Sequence, residues 1–361
     1  MGKRAFDDRP TGVNSWTIPL KKVEWCLISP VMPLSLLLVG CDQVFSSENI
    51  QGLTTPSIMD PQGYGAYRIS ILWWIITAIA TAVFIVVVSL LVAALLRRRG
   101  EDAGEANVVR DRLFIVGGGI VVPLAILAAV YFLTLTTMAA LANTPVSEEI
   151  VIKVVGYQWW WEVEYPLQNF KTANEIHIPA GIPIRIEVEA ADVIHSFWVP
   201  ELHGKIDMIP GQTNVINLQA DRPGVYYGQC AEFCGIQHAK MAFIVVADTP
   251  EQFSEWLSRQ RQPASVPTGE QVQQGQQVFR QANCVRCHTI RGTEATGMLG
   301  PDLTHLAGRR TLAAGMLANT RGNLGGWIID PQGIKPGNLM PPSNISGEDL
   351  QALIAYLESL K

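Results

Sequence analysis

The chain is 361 residues long, has a formal net charge of −5 and contains six cysteines. This length is sufficient for more than one domain. Only 16% of the residues are charged and 48% are hydrophobic, a balance that favours membrane-embedded segments. The acidic net charge argues against nucleic acid as a partner.

The first forty residues have the layout of an export signal. Two lysines precede an apolar run over residues 25–39, which ends in the letters LVGC. This ending resembles a bacterial lipoprotein signal. It predicts a signal peptide over residues 1–40, a lipidated Cys41 and an external segment over residues 41–68. A plain secretory signal and an uncleaved anchor remain open alternatives.

Two uncharged apolar segments follow, over residues 69–96 and 113–142. As helices each would be roughly 40 Å long, more than the hydrocarbon core of a bilayer, so both predict tilted transmembrane helices. Three glycines, Gly117–Gly119, would allow close helix approach or local flexibility. The loop between the helices, residues 97–112, is predicted to be cytoplasmic because of its arginines. These are Arg97, Arg98, Arg99, Arg110 and Arg112.

Residues 146–250 have the pattern of an all-β domain. In residues 182–190, isoleucine and valine alternate with charged residues, which is the period of a half-buried strand. Short segments of this kind, bounded by Gly, Pro or Asp, predict a sandwich or barrel. His177 lies between two isoleucines and is predicted to be a surface residue of a strand. The other predicted strands are residues 151–155, 214–219, 224–229 and 242–247.

The rest of the chain divides into a linker and a small domain. Residues 251–268 are predicted to be a linker that begins with a short helix capped by Thr249. Residues 269–361 are predicted to form a mostly helical unit, and Ser346 caps its last helix. Charge differs between the two soluble regions, with −7 over residues 146–250 (6 basic, 13 acidic) and +1 over residues 251–361 (10 basic, 9 acidic). We therefore predict that the nearly neutral region packs against the acidic one.

The segment CAEFCGIQHAKM, residues 230–241, combines two thiols, an imidazole and a thioether, and His195 lies upstream. Sulfur ligands mixed with imidazole favour copper, and a mononuclear blue-copper site needs only one cysteine. Two thiolates suit a pair of copper ions bridged by both sulfurs. A Cys230–Cys234 disulfide or a redox dithiol would leave His195, His238 and Met241 unexplained.

This segment resembles the binuclear CuA site of haem–copper oxidase subunit II. The family pattern Cys-x-Glu-x-Cys-x3-His-x2-Met with a distant upstream His matches at every position. The resemblance implies a cupredoxin-like Greek-key domain, with Cys230 and Cys234 as bridging thiolates and His195 and His238 as terminal ligands. It also implies two axial ligands, Met241 for one copper and the carbonyl of Glu232 for the other.

Two further roles come from the same resemblance. The segment GYQWWWEVEYP, residues 156–166, is similar to the family's aromatic signature, which places Trp159 where electrons enter the copper site. Packing in the core is the alternative for Trp159. Three adjacent tryptophans in a strand cannot all face the core, so core packing holds for some of them and at least one lies on the opposite face. The carboxylate of Glu232, together with Asp207, is a candidate for a magnesium ion shared with subunit I.

Residues 284–288, CVRCH, form a covalent haem c attachment motif. Cys284 and Cys287 would attach the porphyrin, and His288 would coordinate iron. A zinc site lacks the second ligand pair that it needs. The order of GPDL (300–303) and GNLMPP (337–342) resembles a single-haem cytochrome c, which implies Met340 as the sixth ligand. The competing residues for this position are Met298, Met316 and His305.

Together these features resemble subunit II of a caa-type cytochrome c oxidase with a C-terminal fused cytochrome c domain. The expected fold is a two-helix transmembrane hairpin, a cupredoxin-like CuA domain and a small all-α cytochrome c domain. The implied partners are subunit I with its haem a and haem–copper centre, other oxidase subunits, a cytochrome c donor and membrane lipid. Both mature termini would lie on the periplasmic face of a bacterial inner membrane.

The resemblance implies a relay of electrons from cytochrome c and the chain's own haem c, through CuA, to subunit I in a proton-pumping complex. A CuA-bearing subunit of a nitric oxide reductase is the open alternative. A copper-delivery protein would not need the haem motif. Quinol oxidase subunits II are excluded, because those relatives lack the copper ligands present here.

Overall fold

The computed structural model describes residues 56–97 and 108–361. The predicted signal peptide, Cys41 and most of the predicted cytoplasmic loop lie outside the described residues. We label the helices and strands in chain order.

Two helical stretches have the length and composition to cross a membrane. Helix α1 is Tyr64–Leu96, with 33 residues. The second stretch runs from Val108 to Ala142, as α2 (Val108–Val116), a π-helical turn (Gly117–Val121) and α3 (Val122–Ala142). Their most apolar windows contain no buried residues, as expected for side chains that face lipid. The predicted transmembrane hairpin is therefore present, with both stretches starting earlier than predicted.

The triple glycine forms most of the π-helical turn. Such turns are rare and interrupt the regular α-helical ladder. Cβ atoms built on Gly117, Gly118 or Gly119 would meet no atom within 4 Å in the described part of the chain. Close approach by another helix of residues 56–97 or 108–361 therefore does not explain these glycines.

Helix α1 begins against the β-domain, which explains its early start. The backbone NH of Gln62 donates to the carbonyl of Glu201 at 2.7 Å, and that of Ala66 donates to Leu202 at 2.9 Å. Gly65 packs so closely on the imidazole of His203 that a Cβ there would collide with the ring. The first helical turn is thus part of the β-domain interface, and His203, which had no predicted role, packs there.

Ten strands of the described chain form two five-stranded sheets, with orders β3-β2-β1-β5-β8 and β4-β10-β9-β6-β7. The pairs β1–β5 and β4–β10 are parallel, and the other pairs are antiparallel. This is the predicted cupredoxin-like sandwich. The strands are β1 Ser147–Tyr157, β2 Trp160–Tyr165, β3 Phe170–Ala173, β4 Glu175–Pro179, β5 Ile184–Ala190, β6 His195–Trp198, β7 Ile206–Met208, β8 Asn214–Leu218, β9 Gly224–Cys230 and β10 Ala242–Asp248.

The core follows from side-chain alternation. In β5, Ile184, Ile186 and Val188 are fully buried, and the charged residues between them are half-buried, so the predicted period of two is confirmed. The three tryptophans divide as strand geometry requires. Trp161 is fully buried, and Trp160 faces the other side, where it stacks on Tyr157.

Helix α4, Pro250–Gln260, closes one side of the sandwich. Its N-terminus has the capping box of Thr249 and Gln252, as the sequence predicts for Thr249. Phe253 enters the core, and Trp256 packs on Tyr165 and Phe170. The first part of the predicted linker is therefore a packed helix.

Residues 269–361 are mostly helical with one short hairpin. They are called the haem domain from here on, after the predicted haem motif. Its first and last helices cross at Gly275, where a Cβ would collide with the carbonyl of Ala352. The predicted apolar face of the last helix is buried at Leu353, Ile354 and Leu357. The elements are α5 Glu270–Gln281, β11 Thr311–Leu312, β12 Leu317–Ala318, α6 Arg321–Ile329, α7 Pro331–Ile334 and α8 Gly347–Ser359.

Candidate metal and haem sites

The sandwich brings His195 and residues 230–241, called the copper loop from here on, together at one end of a sheet. Strand β6 starts at His195 and pairs with the end of β9, where Phe197 faces Cys230. The loop after Cys230 returns to β10 at Ala242. The backbone NH of Cys230 donates to the carbonyl of Met241 at 2.9 Å, which closes the base of the loop.

The ligating atoms of this loop fall into two groups around a pair of sulfurs. The Sγ atoms of Cys230 and Cys234 are 3.8 Å apart. Cys230 Sγ lies 3.9 Å from Nδ1 of His195 and 3.2 Å from the carbonyl oxygen of Glu232. Cys234 Sγ lies 3.7 Å from Nδ1 of His238 and 3.7 Å from Sδ of Met241. Each sulfur thus has one imidazole and one weaker donor beside it.

These residues fit a pair of copper ions. A disulfide requires sulfurs about 2.05 Å apart, so the two cysteines are separate thiols. Thiolate, imidazole and thioether donors are the soft set that copper prefers. The ligating atoms of His195, Cys230 and Cys234 all lie within 4.8 Å of one another and are buried, so little rearrangement is needed to bind a metal.

The protonation of the site is set by neighbouring groups. Nε2 of His195 lies 2.8 Å from Oδ1 of Asp192, which orients Nδ1 toward Cys230. Burial alone would lower the pKa of His195, but hydrogen bonds with Cys230 and Asp192 raise it. The hydrogen bond from Cys234 lowers the pKa of Cys230 far below that of a free thiol, and the pKa of Cys234 is raised in return. The acidity of each thiol therefore depends on the other, and the negative charge is favoured on Cys230.

Trp159 forms a direct hydrogen bond with Cys234, a predicted copper ligand. Its Nε1 donates to the carbonyl oxygen of Cys234 at 3.0 Å, and Nε2 of Gln158 donates to the same oxygen at 2.7 Å. Trp159 is only 8% exposed. Trp159 is therefore part of the core cluster, which confirms the packing alternative, and electron entry at this residue stays a prediction.

The structure does not group Asp207 with Glu232 as a metal site. Asp207 is an exposed residue of β7, opposite Ser196, and Glu232 is half-buried. Within the described ranges, one cluster has three ligating side chains of His, Cys, Asp or Glu type, and neither acid belongs to it. A magnesium ion at these two residues stays a prediction.

The haem attachment residues lie in a tight turn. The backbone NH of His288 donates to the carbonyl of Cys284 at 3.0 Å, and Nδ1 of His288 lies 2.8 Å from the carbonyl of Pro301. This contact orients the ring and leaves Nε2 for iron. Gly300 is next to the ring, where a Cβ would lie 2.8 Å from it.

Three observations on this turn and on nearby Arg309 fit a covalent haem. Both cysteines are free, and His288 presents one nitrogen. Buried Nε of Arg309 has no hydrogen-bond partner among the described residues, so this N–H is left to donate to an acidic group such as a propionate. Of the competing axial ligands, His305 is unsuitable. Its two ring nitrogens contact the carbonyls of Lys361 (2.6 Å) and Gln262 (3.0 Å).

His177 is not a surface residue, and that prediction is wrong. It is 8% exposed, with Nδ1 2.6 Å from Asp248 and Nε2 2.9 Å from Glu175. Trp256 of α4 stacks on its ring at 4.1 Å between centroids. Burial alone would lower the pKa of His177, but the hydrogen bonds to Asp248 and Glu175 raise it. The polar residue in an apolar strand was the signal, but the covering helix could not be placed from sequence.

The haem domain lies against the copper loop, a contact that the sequence predicted only in outline. Nε2 of Gln237 donates to the carbonyl of Pro336 at 2.8 Å, and Nζ of Lys240 donates to that of Ile334 at 2.7 Å. The backbone NH of Ala242, where β10 begins, donates to the carbonyl of Ala314 at 3.0 Å. The loop that bears the predicted copper ligands therefore also binds the haem domain.

Comparison with known proteins identifies two families along the chain. The family "Cytochrome C oxidase subunit II, periplasmic domain" matches residues 166–248, and the family "Cytochrome c" matches residues 272–361. A protein of Alkalihalophilus pseudofirmus named cytochrome c oxidase subunit 2 is 36% identical over 343 residues, which cover 93% of this chain and 98% of that protein. The chain belongs to the cytochrome c oxidase subunit 2 family.

Other relatives share this subunit 2 description. The Bacillus subtilis protein of the same name is 28% identical over 359 residues, covering 94% of this chain and 98% of its own length. The crystal structure of the periplasmic domain of cytochrome oxidase subunit II of Bradyrhizobium japonicum is 33% identical. It covers 32% of this chain and 96% of that domain, with a TM-score of 0.31.

Family membership makes the chain a membrane-bound oxidoreductase subunit. The subunit II domain implies CuA copper, and the cytochrome c domain implies haem c. A subunit II also implies subunit I and the other subunits of the oxidase as partners.

Proposed function

We propose that this subunit relays electrons from cytochrome c, through its own haem c and then CuA, to the haem–copper centre of subunit I in a proton-pumping complex. The contact between the copper loop and the haem domain carries this proposal. Trp159, bonded to Cys234 by its indole, and the segment that precedes Met340 meet at that contact. When bound, the copper pair and haem c each supply a reversible one-electron couple.

We assign the copper site to six residues. Cys230 and Cys234 would bridge the metals, His195 and His238 would be terminal ligands, and Met241 and the Glu232 carbonyl would be axial. The side chains of the cysteines, His195 and Met241 are each at most 5% exposed, so the sandwich keeps water away from the sulfurs. Asp192 holds the His195 ring in place. A fixed, dry ligand set favours electron transfer because little has to rearrange.

We assign the haem to four residues. Cys284 and Cys287 would form the thioether bonds, and His288, oriented by Pro301, would be one axial ligand. Met340 would be the other. Its backbone NH donates to Oδ1 of Asn338 at 2.8 Å, and its carbonyl accepts from Nε2 of Gln332 at 2.8 Å. These bonds hold the loop in one shape.

The proposed location is a bacterial inner membrane, with the copper and haem domains on the periplasmic face. The two membrane-spanning stretches and the arginines between them support this orientation. We further propose that Cys41 carries lipid after signal cleavage, and that Glu232 and Asp207 provide ligands for a magnesium ion at the subunit I interface.

The decisive experiment uses the purified oxidase complex with reduced cytochrome c. We expect oxygen consumption, rapid oxidation of haem c and no turnover of nitric oxide. Cys234→Ser should lose the copper signal in electron paramagnetic resonance and leave haem c reducible but not reoxidised. Ala239→Ser, a change at an exposed position of the same loop, should behave like the wild type.

Two results would contradict the proposal. Consumption of nitric oxide without oxygen would instead assign the subunit to a nitric oxide reductase. Full oxygen consumption by Cys234→Ser would remove the copper loop from the electron path.

A further inference from the structure

Lys335 is a buried lysine in the interface between the haem domain and the β-sandwich, which we also call the copper domain. It is 2% exposed, and within the described ranges it forms no ion pair with a carboxylate. Its Nζ donates instead to two backbone carbonyls, those of Trp159 at 2.7 Å and Ala313 at 3.2 Å. An ammonium buried without a counter-charge is costly, so its retention needs an explanation.

The cost is visible in its acid–base behaviour. Burial lowers the pKa of Lys335 to about 7; a negative charge on the Cys234 sulfur would oppose this shift, and Lys240 adds to it. An apolar residue would fill the same space without this cost. The two hydrogen bonds donated by Nζ are therefore what a lysine provides here and an apolar residue would not.

On one side, Lys335 is joined rigidly to Met340. Nδ2 of Asn338 donates to the carbonyl of Lys335 at 2.6 Å, and Oδ1 of Asn338 accepts from the backbone NH of Met340 at 2.8 Å. Gln332 spans the same loop, with bonds to Gly337 and to the carbonyl of Met340, each at 2.8 Å. A displacement of Lys335 would therefore be passed on to Met340.

On the other side, Lys335 reaches the copper loop through one residue. The Trp159 carbonyl that accepts its hydrogen bond belongs to the residue whose indole donates to Cys234 at 3.0 Å. Two short contacts thus separate the loop of a predicted haem ligand from a predicted copper ligand. The Trp159 and Lys335 positions lie 176 residues apart in the chain, so this link is made only by domain docking.

We propose that Lys335 is a positioning residue for electron transfer between haem c and CuA. Its Nζ donates to the Trp159 carbonyl and so fixes the Met340 loop against the copper loop. The neighbouring bonds of Gln237 and Lys240 hold the domains together but do not touch Trp159. This role rests on the proposed relay.

The test compares three variants of the complete oxidase complex. Lys335→Met keeps an unbranched side chain of similar length and removes both hydrogen bonds. We expect electron transfer from haem c to copper, measured by rapid mixing, to slow by at least about tenfold. A small misplacement of reacting groups has a large effect on rate. Lys335→Arg keeps the donors and should restore most of the rate. Lys361→Met, at an exposed lysine, is the matched control.

A second readout is amide hydrogen exchange, which does not depend on electron transfer. In Lys335→Met, amide hydrogen exchange of residues 331–340 should become faster, and that of α8 should not change. The copper spectrum and the reduction of haem c by external cytochrome c should also stay as in the wild type.

Each failure points to a different error. Unchanged exchange and an unchanged transfer rate in Lys335→Met would overturn the role of Lys335. Loss of haem, or equal slowing of haem c reduction by the donor, would show that Lys335 serves only folding, which also overturns it. A wild-type complex in which haem c never reduces copper would contradict the relay itself, and faster exchange of residues 331–340 would then still report docking by Lys335.

Discussion

The copper loop and the predicted haem attachment turn hold their predicted ligands in different ways. In the sandwich the ligand side chains contact one another, and the two sulfurs are 3.8 Å apart. In the haem domain, His288 and Met340 are held by their own loops, through Pro301 and Asn338. The cysteines of the copper loop are buried and those of the haem turn are half-buried.

This difference has a physical origin. Neighbouring strands β6 and β9 fix the start of the copper site at the level of backbone pairing, so the sheet determines where the ligands lie. The haem residues lie on turns of a small domain, and small domains commonly depend on a covalent or metal staple. We therefore expect the copper domain to keep its fold without metal and the haem domain to depend on haem.

The largest expected effect comes from removing haem attachment. The double variant Cys284→Ser, Cys287→Ser should lose covalent haem, and amide exchange of α5 and α8 should approach that of an unfolded segment. Strands β5 and β9 should keep wild-type protection in the same sample. Exchange measured on the full complex checks both parts. Retained protection of α5 and α8 would show that the haem domain is as self-sufficient as the sandwich.

A second variant tests packing within the haem domain. Gly275→Ala places a methyl group against the carbonyl of Ala352, so α5 and α8 must move apart. We expect a loss of about 1–3 kcal/mol in unfolding free energy of this domain. Gly322→Ala is the control, because a Cβ at Gly322 meets no atom within 4 Å. Thermal melting followed by haem absorbance measures the change, and equal melting of the two variants would contradict the close crossing.

Copper affinity tests whether the hydrogen bond with Asp192, in addition to the strand geometry of the sandwich, positions His195. Asp192→Asn weakens the bond that orients His195, and loss of such an outer-sphere partner typically lowers metal affinity about 10–100-fold. Competition with a copper chelator measures this. Asp221→Asn, at an exposed acid outside the site, should have no effect. Unchanged affinity in Asp192→Asn would mean that strand geometry alone positions His195.

The smallest expected effect concerns pH and the buried His177. The pKa of His177 is raised in the folded state, so its protonation stabilises the sandwich. The stabilisation is complete below the ordinary histidine pKa of about 6.5 and is lost as pH rises through the raised folded value. Wild-type exchange protection of β4 should therefore fall from neutral toward alkaline pH. His177→Gln should lack this dependence, and a steeper slope in the variant would contradict the assignment.

Local sequence signals predicted the parts of the molecule that depend on neighbouring residues. The alternation of β5, the cap of α4 and the apolar length of the membrane stretches were readable because each follows a short period. The copper loop also lies within twelve residues, apart from His195, so its chemistry could be identified from the chain.

The parts that sequence did not predict depend on distant contacts. His177 is buried because Asp248, 71 residues away, and helix α4 cover its strand. Lys335 meets Trp159 only because the haem domain docks on the sandwich. A single sequence contains no period that links such residues, so their partners become visible only in the folded chain.

The early start of α1 has a consequence for the whole assembly. Because the backbone of residues 62–66 is bonded to Glu201 and Leu202, a tilt of the sandwich relative to α1 would have to break these hydrogen bonds. The copper ligands would then keep a constant height above the lipid surface. Rocking of the sandwich, which would change the distance to subunit I in the proposed relay, is opposed by these bonds to the first turn of a predicted membrane helix.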